Sequence, residues 1–281
     1  MNHTYCKYHG LGNDYIVIDP AACGIPMTED AVRHICDRNF GAGSDGILYG
    51  PLFENGAPRV VIFNPDGSRA EKSGNGVRIF ARYLKDAGYV TDSTFSLITD
   101  GGVVRAEYLD AAGGLIRVNM GKPTFISEEI PVAGARREVV DEPLLVLGEE
   151  FHVTCVSVGN PHCVIPMEKA EKALALRIGA AVEHHAMFPN RINMQLLEVI
   201  DRANIKIEIW ERGASYTLAS GSSSCAAACA AHKLGLTDAA MTVHMPGGEI
   251  RVELLPDGRI LMTGAVKSVY TGVFSEEFYG S

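Results

Sequence analysis

Two short segments carry the residue types of an anion-binding site. Gly74-Asn75-Gly76 and Gly221-Ser222-Ser223 each lead into a stretch of helical character. The first turn of a helix has backbone N–H groups without intrahelical partners and the positive end of the helix dipole, and small residues let an anion approach that backbone closely. Ordinary N-capping by Ser or Asn explains either segment alone better. The pair together favours a site for a carboxylate or a phosphate.

The two segments have matching surroundings. Residues 64–84 and residues 211–231 both run from a strand through a polar turn and a Ser-Gly pair into a helix. They stand about half a chain length apart, which predicts two similarly built halves. A chance likeness of two helix starts rich in Gly and Ser is the alternative. Neither segment has the Gly-Lys-[Ser/Thr] of a P-loop or the glycine spacing of a Rossmann fingerprint.

Further candidate groups lie in polar turns. Gly159-Asn160-Pro161-His162 separates two apolar runs, and Glu211-Arg212-Gly213 follows a strand. Each also has a plain structural explanation, the first as an ordinary turn and the second as a surface ion pair of little energetic value. Cys225 and Cys229 lie one turn apart on an Ala-rich helix, where core packing is expected rather than metal binding.

The elements that position these groups follow from hydrophobic periodicity. Helices are predicted over residues 29–39, 77–84, 170–185 and 225–234. Strands are predicted over residues 15–19, 59–63, 95–100, 102–108, 114–120, 151–158, 163–166, 196–201, 205–210, 241–244, 250–254 and 259–263. Many short strands with few helices indicate a mixed α+β chain rather than a repeating βαβ chain.

Composition excludes several classes of protein. The 281 residues carry a formal net charge of −9, with 47% hydrophobic and 21% charged residues, which is ordinary for a globular chain of one large domain or two smaller ones. The acidic balance argues against nucleic acid and membrane surfaces as partners. No apolar run is long enough for a transmembrane helix, and the first ten residues lack the apolar core of a secretory signal. Seven irregularly spaced cysteines without a CxxC pair predict reduced thiols in the cytoplasm and no zinc site.

Seven segments, in order along the chain, resemble diaminopimelate epimerase and its relatives, the cofactor-independent amino-acid racemases and epimerases. They are KYHGLGNDYIVID (7–19), FNPDGSRAEKSGNGVRIFARYL (63–84), VNMGKP (118–123), VSVGNPHCVI (156–165), RINM (191–194), WERGASYTLASGSSSCAAA (210–228) and MPGGEIRVE (245–253). The resemblance implies two similar α/β domains, residues 1–121 with 267–281 and residues 122–266, with the active site in the interdomain cleft. It also implies a cytoplasmic homodimeric isomerase that interconverts LL- and meso-diaminopimelate, a precursor of lysine and peptidoglycan. Such enzymes bind their free amino-acid substrate without metal, pyridoxal phosphate or nucleotide.

The resemblance also implies roles for individual residues. The distal, non-reacting end of the substrate would be held by Asn13, Asn64, Asn160, Asn193 and Arg212. The ammonium at the reacting centre would be bound by the Glu211 side chain and the Arg212 carbonyl. The reacting carboxylate would be bound by backbone N–H groups of Gly74, Asn75, Gly221 and Ser222.

The two catalytic positions depart from the family pattern. The family motifs C-G-N-G and C-G-[ST]-G each begin with a cysteine; one takes the α-proton as a thiolate and the other delivers a proton to the opposite face. This chain has Ser73 and Ser220 instead. A thiol has a pKa near 8.5, lower still at a helix N-terminus, whereas a serine hydroxyl is far less acidic and needs an adjacent base. The usual two-base step is therefore expected to be slowed by orders of magnitude or lost, unless His162 and Glu211, the nearest candidates, activate the serines.

Two explanations of the serines stay open, deliberate replacement of both cysteines to trap a substrate complex and natural divergence. Other motif positions also differ: Lys72 precedes Ser73, Tyr216 stands where Glu is expected, Ser223-Ser224 replace Gly-Ala, and Gly46 stands where many relatives carry a polar side chain. These neighbouring changes favour divergence.

Three alternatives to a diaminopimelate epimerase stay open as well. The chain could be a non-catalytic amino-acid-binding homologue, or an isomerase that uses another acid/base on a more acidic C–H bond. It could also be a serine hydrolase built on Ser73 or Ser220 with His162. The absence of a G-x-S-x-G elbow argues against the hydrolase.

Overall fold

A computed structural model describes residues 3–71 and 73–279, so the predicted departure at Lys72 lies outside the described residues. Within them the helices are α1 (Glu29–Cys36), α2 (Gly74–Asp86), α3 (Lys172–Glu183), α4 (Gly221–Lys233) and α5 (Glu276–Tyr279). The strands are β1 (Thr4–Gly10), β2 (Asn13–Ile18), β3 (Ile47–Glu54), β4 (Ala57–Phe63), β5 (Arg69–Ala70), β6 (Thr94–Thr99), β7 (Gly102–Tyr108), β8 (Leu115–Gly121), β9 (Glu142–Val146), β10 (Glu149–Ser157), β11 (Pro161–Met167), β12 (Asn193–Asp201), β13 (Asn204–Glu211), β14 (Ser215–Thr217), β15 (Ala240–Met245), β16 (Gly248–Leu254), β17 (Ile260–Ala265) and β18 (Lys267–Val273).

The chain divides into two compact units, which we call unit 1 (Met1–Val118 with Gly264–Ser281) and unit 2 (Asn119–Thr263). The same order of elements recurs from β1 to β8 and from β10 to β17: two strands, a helix, three strands, a helix and three strands. The pairing recurs too. In unit 1 β1 is antiparallel to β2, β2 is parallel to β3 and β3 is antiparallel to β4, and β10 to β13 of unit 2 repeat this pattern. The predicted α+β class and the two similar halves are confirmed.

The second helix of each unit is enclosed by its own unit. Helix α2 buries the long side chains of Arg78, Phe80 and Leu84 completely. Helix α4 is built mainly of alanine, serine and cysteine, and it packs on β10, β11, β12 and β16. Alanine is the best helix former, and its small side chain lets this helix lie close against the strands.

Both of these helices begin earlier than the apolar pattern predicts. Helix α2 begins at Gly74 rather than at residue 77, and α4 begins at Gly221 rather than at residue 225. The N-capping serines fix each start, and a periodicity of apolar residues does not register them. Helix α2 ends at Asp86, two residues beyond the predicted end, and Gly88 follows with a φ of +75°, which glycine adopts without a steric penalty.

The predicted strands all overlap observed ones, but several observed strands were not predicted. The longest of these are β1, β3, β9 and β18. Glycine and proline at positions 50 and 51 interrupt the sequence pattern of β3. Strand β18 is exposed along almost its whole length, so it has no apolar alternation to detect.

The described residues contain no helix of the length and hydrophobicity that crossing a membrane would need. All seven cysteines are free of disulfide bonds, and all except Cys6 are buried.

Candidate functional site

Ser73 and Ser220, the serines at the two predicted catalytic positions, cap α2 and α4 with nearly the same geometry. Ser73 has φ −136° and ψ 121°, and Ser220 has φ −148° and ψ 126°. Ser73 Oγ accepts from the Gly76 N–H at 3.0 Å, and Ser220 Oγ accepts from the Ser223 N–H at 3.3 Å. Each hydroxyl is thereby fixed at the positive end of a helix, where a developing negative charge on its oxygen is stabilised.

Ser73 has a second partner in unit 1 that sequence reasoning missed. The Tyr15 hydroxyl, on β2, lies 3.2 Å from Ser73 Oγ, and only 8% of the tyrosine side chain is exposed. Tyr15 belongs to the GLGNDY segment, but nothing in that segment indicates contact with a residue 58 positions further along the chain.

A chain of side-chain hydrogen bonds in unit 1 fixes two of the predicted binding residues. Arg78 Nη2 donates to Asn75 Oδ1 at 2.7 Å, Asn75 Nδ2 donates to Asn13 Oδ1 at 3.0 Å, and Asn13 Nδ2 donates to Asp45 Oδ2 at 2.9 Å. A cation at one end and a carboxylate at the other set the direction of both amides. Arg78 also donates from Nη1 to the Gly74 carbonyl at 3.1 Å, and this hydrogen bond stabilises the first turn of α2.

The acidic end of this chain is tied to further charges. Asp45 Oδ1 accepts from Arg38 at 2.6 Å, and Arg38 also reaches Asp14 at 2.7 Å. Lys7 lies 2.8 Å from the other oxygen of Asp14. Burial opposes ionisation of Asp14, but the hydrogen bonds from Arg38 and Lys7 outweigh it and hold its pKa below the usual range. Asp45 therefore sits in a rigid, charge-balanced setting.

Unit 2 has its own chain of side-chain hydrogen bonds. His162 Nε2 lies 2.9 Å from Asn160 Oδ1, Asn160 Nδ2 donates to Ser222 Oγ at 3.3 Å, and Ser222 Oγ lies 3.4 Å from Ser220 Oγ. Because an amide oxygen only accepts, the His162 ring must donate from Nε2. The structure thus brings together four residues predicted separately from sequence, with His162 three contacts away from Ser220.

The environment of His162 makes it a weak base. The ring is completely buried, and this burial is the main reason that its pKa is lowered from 6.5 to about 3. The Gln195 amide opposes the shift, and the Arg212 charge adds to it. At neutral pH the imidazole is uncharged, and its contact is with Asn160 rather than with either serine. The predicted activation of Ser73 or Ser220 by His162 has no direct contact to support it.

Asn193 joins two of the polar turns found in the sequence. Its Nδ2 donates to the Pro161 carbonyl at 2.7 Å, and its Oδ1 accepts from the Arg212 N–H at 2.9 Å. The Arg212 guanidinium is exposed and donates to the Asn190 carbonyl at 3.1 Å. Asn193 therefore fixes the backbone around Arg212, and each end of its amide keeps one further hydrogen-bonding position.

Glu211 ends β13, and its carbonyl accepts from the Ala214 N–H at 3.1 Å in the turn that follows. Tyr216 lies on β14, the strand after this turn, and its hydroxyl donates to Glu208 Oε2 at 2.6 Å. Burial, followed by this hydrogen bond and the Glu208 charge, raises the Tyr216 pKa. The tyrosine at the position where Glu is expected thus pairs with a buried carboxylate.

The remaining predicted residues have local roles. Asn64 follows β4 and donates from Nδ2 to Ser68 Oγ at 3.0 Å, inside its own turn. Gly74 and Gly221 are buried in the first turns of α2 and α4. Cys225 and Cys229 are buried on α4, as predicted for core residues. Among residues 3–71 and 73–279, no three His, Cys, Asp or Glu side chains are grouped so that they could hold a metal ion.

Known proteins resemble this chain in sequence and in fold. A family model described as diaminopimelate epimerase matches residues 5–126 and 154–269. The chain is 50% identical over 276 residues to "Diaminopimelate epimerase 2" of Nostoc sp. (strain PCC 7120), covering 98% of this chain and 96% of the relative. It is 38% identical over 274 residues to a diaminopimelate epimerase of Moorella thermoacetica, covering 96% and 98%. A solved structure of a probable proline racemase from Agrobacterium radiobacter K84 superposes with a TM-score of 0.72 at 15% identity, covering 97% of this chain and 92% of the other, which shows a shared fold.

Proposed function

The chain belongs to the diaminopimelate epimerase family of isomerases, and from that premise we propose that it inverts the α-carbon of a free amino acid, converting LL- to meso-diaminopimelate. The observation that carries this proposal is the pair of matched helix starts. Ser73 and Ser220 cap helices of 13 residues at equivalent places in the repeated order of elements, with backbone angles within 12° of each other.

The helix starts supply what proton abstraction from an α-carbon needs. When the α-proton leaves, negative charge moves onto the carboxylate oxygens, and fixed N–H donors at a helix N-terminus stabilise that charge. Backbone N–H groups of Gly74, Asn75, Gly221 and Ser222 bind the reacting carboxylate in this proposal. The Glu211 side chain and the Arg212 carbonyl bind the adjacent ammonium. No metal or organic cofactor takes part.

Ser73 and Ser220 take the two proton-exchange positions. Each Oγ accepts a backbone N–H, which favours its deprotonated form. That effect is small beside the difference in acidity between a hydroxyl and a thiol, so turnover is slow compared with that of a cysteine-bearing relative.

The distal end of the substrate is bound by Asn13, Asn64, Asn160, Asn193 and Arg212 in this proposal. The hydrogen bonds described above support it, because they preset the amides of Asn13, Asn160 and Asn193 before any ligand arrives. Presetting lowers the entropy cost of binding.

The proposal is tested by α-proton exchange of LL-diaminopimelate in D₂O, followed by proton NMR, together with calorimetric binding. We expect binding and slow exchange, with exchange abolished and binding retained in Ser73→Ala and Ser220→Ala. A matched control is Ser275→Ala, an exposed serine between β18 and α5. Absence of binding by a folded protein would contradict the proposal.

A second candidate is a non-catalytic amino-acid-binding homologue. The state of His162 favours it, because the buried imidazole has a pKa of about 3 and contacts neither serine. The same observation weighs against a serine hydrolase, which needs a histidine base in contact with its nucleophile. Tight binding with no exchange in the D₂O experiment would identify the binding protein.

Two properties complete the proposal, a homodimer and a cytoplasmic location. Strand β18 supports the dimer, since its apolar residues Val269, Tyr270 and Val273 are 51%, 42% and 63% exposed and leave apolar area that a second copy can cover. The disulfide-free cysteines support a reducing compartment. Sedimentation of wild type against Tyr270→Glu tests the dimer; a change from two copies to one supports the use of this surface.

A further inference from the structure

We propose that Tyr15 is the proton partner of Ser73, so that the Tyr15–Ser73 pair does at this position what a single thiol does in the cysteine-bearing relatives. The inference rests on the proposed function and adds a residue to it. Tyr15 acts through Ser73 and not on the substrate itself.

The contact is held by the fold rather than by chance rotation of a surface side chain. Tyr15 lies in the middle of β2, which is hydrogen-bonded to β1 on one side and to β3 on the other. Its side chain is 8% exposed, and Oη lies 3.2 Å from Ser73 Oγ. The serine is fixed in turn as the N-cap of α2. Both partners of the pair are therefore anchored to regular structure.

Gly46 makes room for the tyrosine ring. A Cβ atom at position 46 would lie 2.7 Å from Tyr15 Cε1 and 2.5 Å from the Phe63 carbonyl oxygen, closer than real Cβ atoms approach. The ring thus occupies the space that a side chain at position 46 would need. The departure noted at Gly46 and the contact of Tyr15 with Ser73 are one linked feature of this chain.

The hydrogen-bonding capacity of Ser73 fits a proton relay. Its oxygen has two lone pairs and one O–H. One lone pair accepts from the Gly76 N–H at 3.0 Å, and the O–H can donate to Tyr15 Oη. One lone pair remains to receive the α-proton.

The α-carbon–hydrogen bond breaks, its proton bonds to Ser73 Oγ, and the proton of Ser73 passes to the phenolate oxygen of Tyr15, while the electron pair stays on the α-carbon. In the opposite direction Tyr15 returns its proton through Ser73. A tyrosine phenol is far more acidic than a serine hydroxyl, so the proton of Ser73 passes to a phenolate more readily than Ser73 forms a free alkoxide.

The test removes the hydroxyl in two backgrounds. With Ser220→Cys supplying a thiol at the other position, proton transfer at Ser73 limits the rate, and Tyr15→Phe should lower kcat for LL-diaminopimelate by about 100-fold or more with KM changed less than about threefold. In Ser73→Cys/Ser220→Cys, where a thiol needs no relay, the loss from Tyr15→Phe should shrink to less than about threefold. A purely structural role of Tyr15 predicts the same loss in both backgrounds.

Tyr8→Phe is the matched control. Tyr8 lies directly opposite Tyr15 in the β1–β2 pair, is buried, and donates its hydroxyl to Asp86 at 3.1 Å rather than to Ser73. The Tyr8→Phe change also removes a buried hydroxyl. In each background its kcat should therefore stay within about threefold of the protein with Tyr8. Thermal unfolding of all variants confirms that they fold.

The outcomes separate the inference from the function on which it rests. Equal losses in the two backgrounds, or no loss with Ser73 present, overturn the role of Tyr15. Exchange by the double-cysteine protein with none by Ser220→Cys also overturns it, while supporting the proposed function. Exchange by neither protein contradicts the proposed function itself.

Discussion

The imidazole of His162 donates from Nε2 to Oδ1 of Asn160 across 2.9 Å, with no part of the ring exposed. The direction of this bond turns the amide nitrogen of Asn160 toward Ser222 Oγ, which lies 3.3 Å away. His162 is therefore a fixed neutral donor that orients Asn160, where its position in the sequence had indicated a general base.

Stability should depend on pH through His162. Its pKa is lowered from 6.5 to about 3 on folding. Between these values the unfolded chain binds a proton that the folded chain does not, so acid favours unfolding. The His162 contribution is fully present above pH 6.5 and is lost as pH falls toward 3, by up to about 1.4 kcal/mol per pH unit.

Urea unfolding of wild type and His162→Gln at pH 7, 6, 5 and 4 measures this contribution. Gln keeps a donor for Asn160 but does not titrate. As pH falls, the free energy of unfolding of His162→Gln should therefore decrease less steeply than that of wild type. His152→Gln, at an exposed histidine paired with Asp141, is the matched control, because it replaces an imidazole that does not contact Asn160. Parallel curves for wild type and His162→Gln would contradict the assignment.

Arg78 should be a main support of the first turn of α2. Arg78→Met removes the donors to Asn75 Oδ1 and to the Gly74 carbonyl, which lie in buried surroundings. We expect the free energy of unfolding to fall by about 2 kcal/mol or more, because buried acceptors that lose their donors keep the full cost of desolvation. Arg82→Met, at the partly exposed i,i+4 partner of Asp86, should cost less than about 1 kcal/mol. A loss as small for Arg78→Met would refute this role.

The sequence was most informative where a local rule decides the structure. Ser73 and Ser220 were assigned from the family resemblance, whereas the segments at Gly74 and Gly221 were identified because small residues and a following helix occur together within a few residues. The same is true of the two similar halves, since the repeated segments are contiguous. The starts of α2 and α4 were misplaced because the caps, and not the apolar residues, set them.

The residues that sequence reasoning missed are those whose roles depend on distant contacts. Tyr15 meets Ser73, 58 positions away, and Asp45 meets Asn13 across 32 positions. No periodicity or spacing in one chain records such a contact. The base strength of His162 was likewise out of reach, because it follows from complete burial, which the polar turn Gly159–His162 gave no reason to expect.

Tyr216 should stabilise the buried carboxylate of Glu208, which is 6% exposed. Tyr216→Phe keeps the ring and removes the donor, so we expect a loss of about 1–3 kcal/mol in the free energy of unfolding at pH 7. The added change Glu208→Gln should recover part of that loss, because a neutral amide costs less to bury than an unpaired carboxylate. Additive losses in the double variant, measured by urea unfolding, would disprove the pairing.

Gly179 should be required for the packing of α3 on Trp210. A Cβ atom at position 179 would lie 2.3 Å from the Trp210 ring. Gly179→Ala is therefore expected to cost about 1–3 kcal/mol through overpacking, although alanine favours a helix. Ala173→Gly, at an exposed position of the same helix, measures how much the difference in helix propensity between alanine and glycine alone changes stability. Thermal melting that shows a stabilised Gly179→Ala would exclude the close contact.

We expect this chain to keep a binding site of the diaminopimelate epimerase type, with serine at both proton-exchange positions. The most direct measurement is loss of the α-proton signal of LL-diaminopimelate in D₂O, followed by proton NMR for the wild type and for Ser73→Cys/Ser220→Cys. We expect the double-cysteine protein to exchange the proton at least about 100-fold faster than the wild type, because two thiols replace two weakly acidic hydroxyls. A folded double-cysteine protein that leaves LL-diaminopimelate unexchanged would contradict the claim and point to a different ligand.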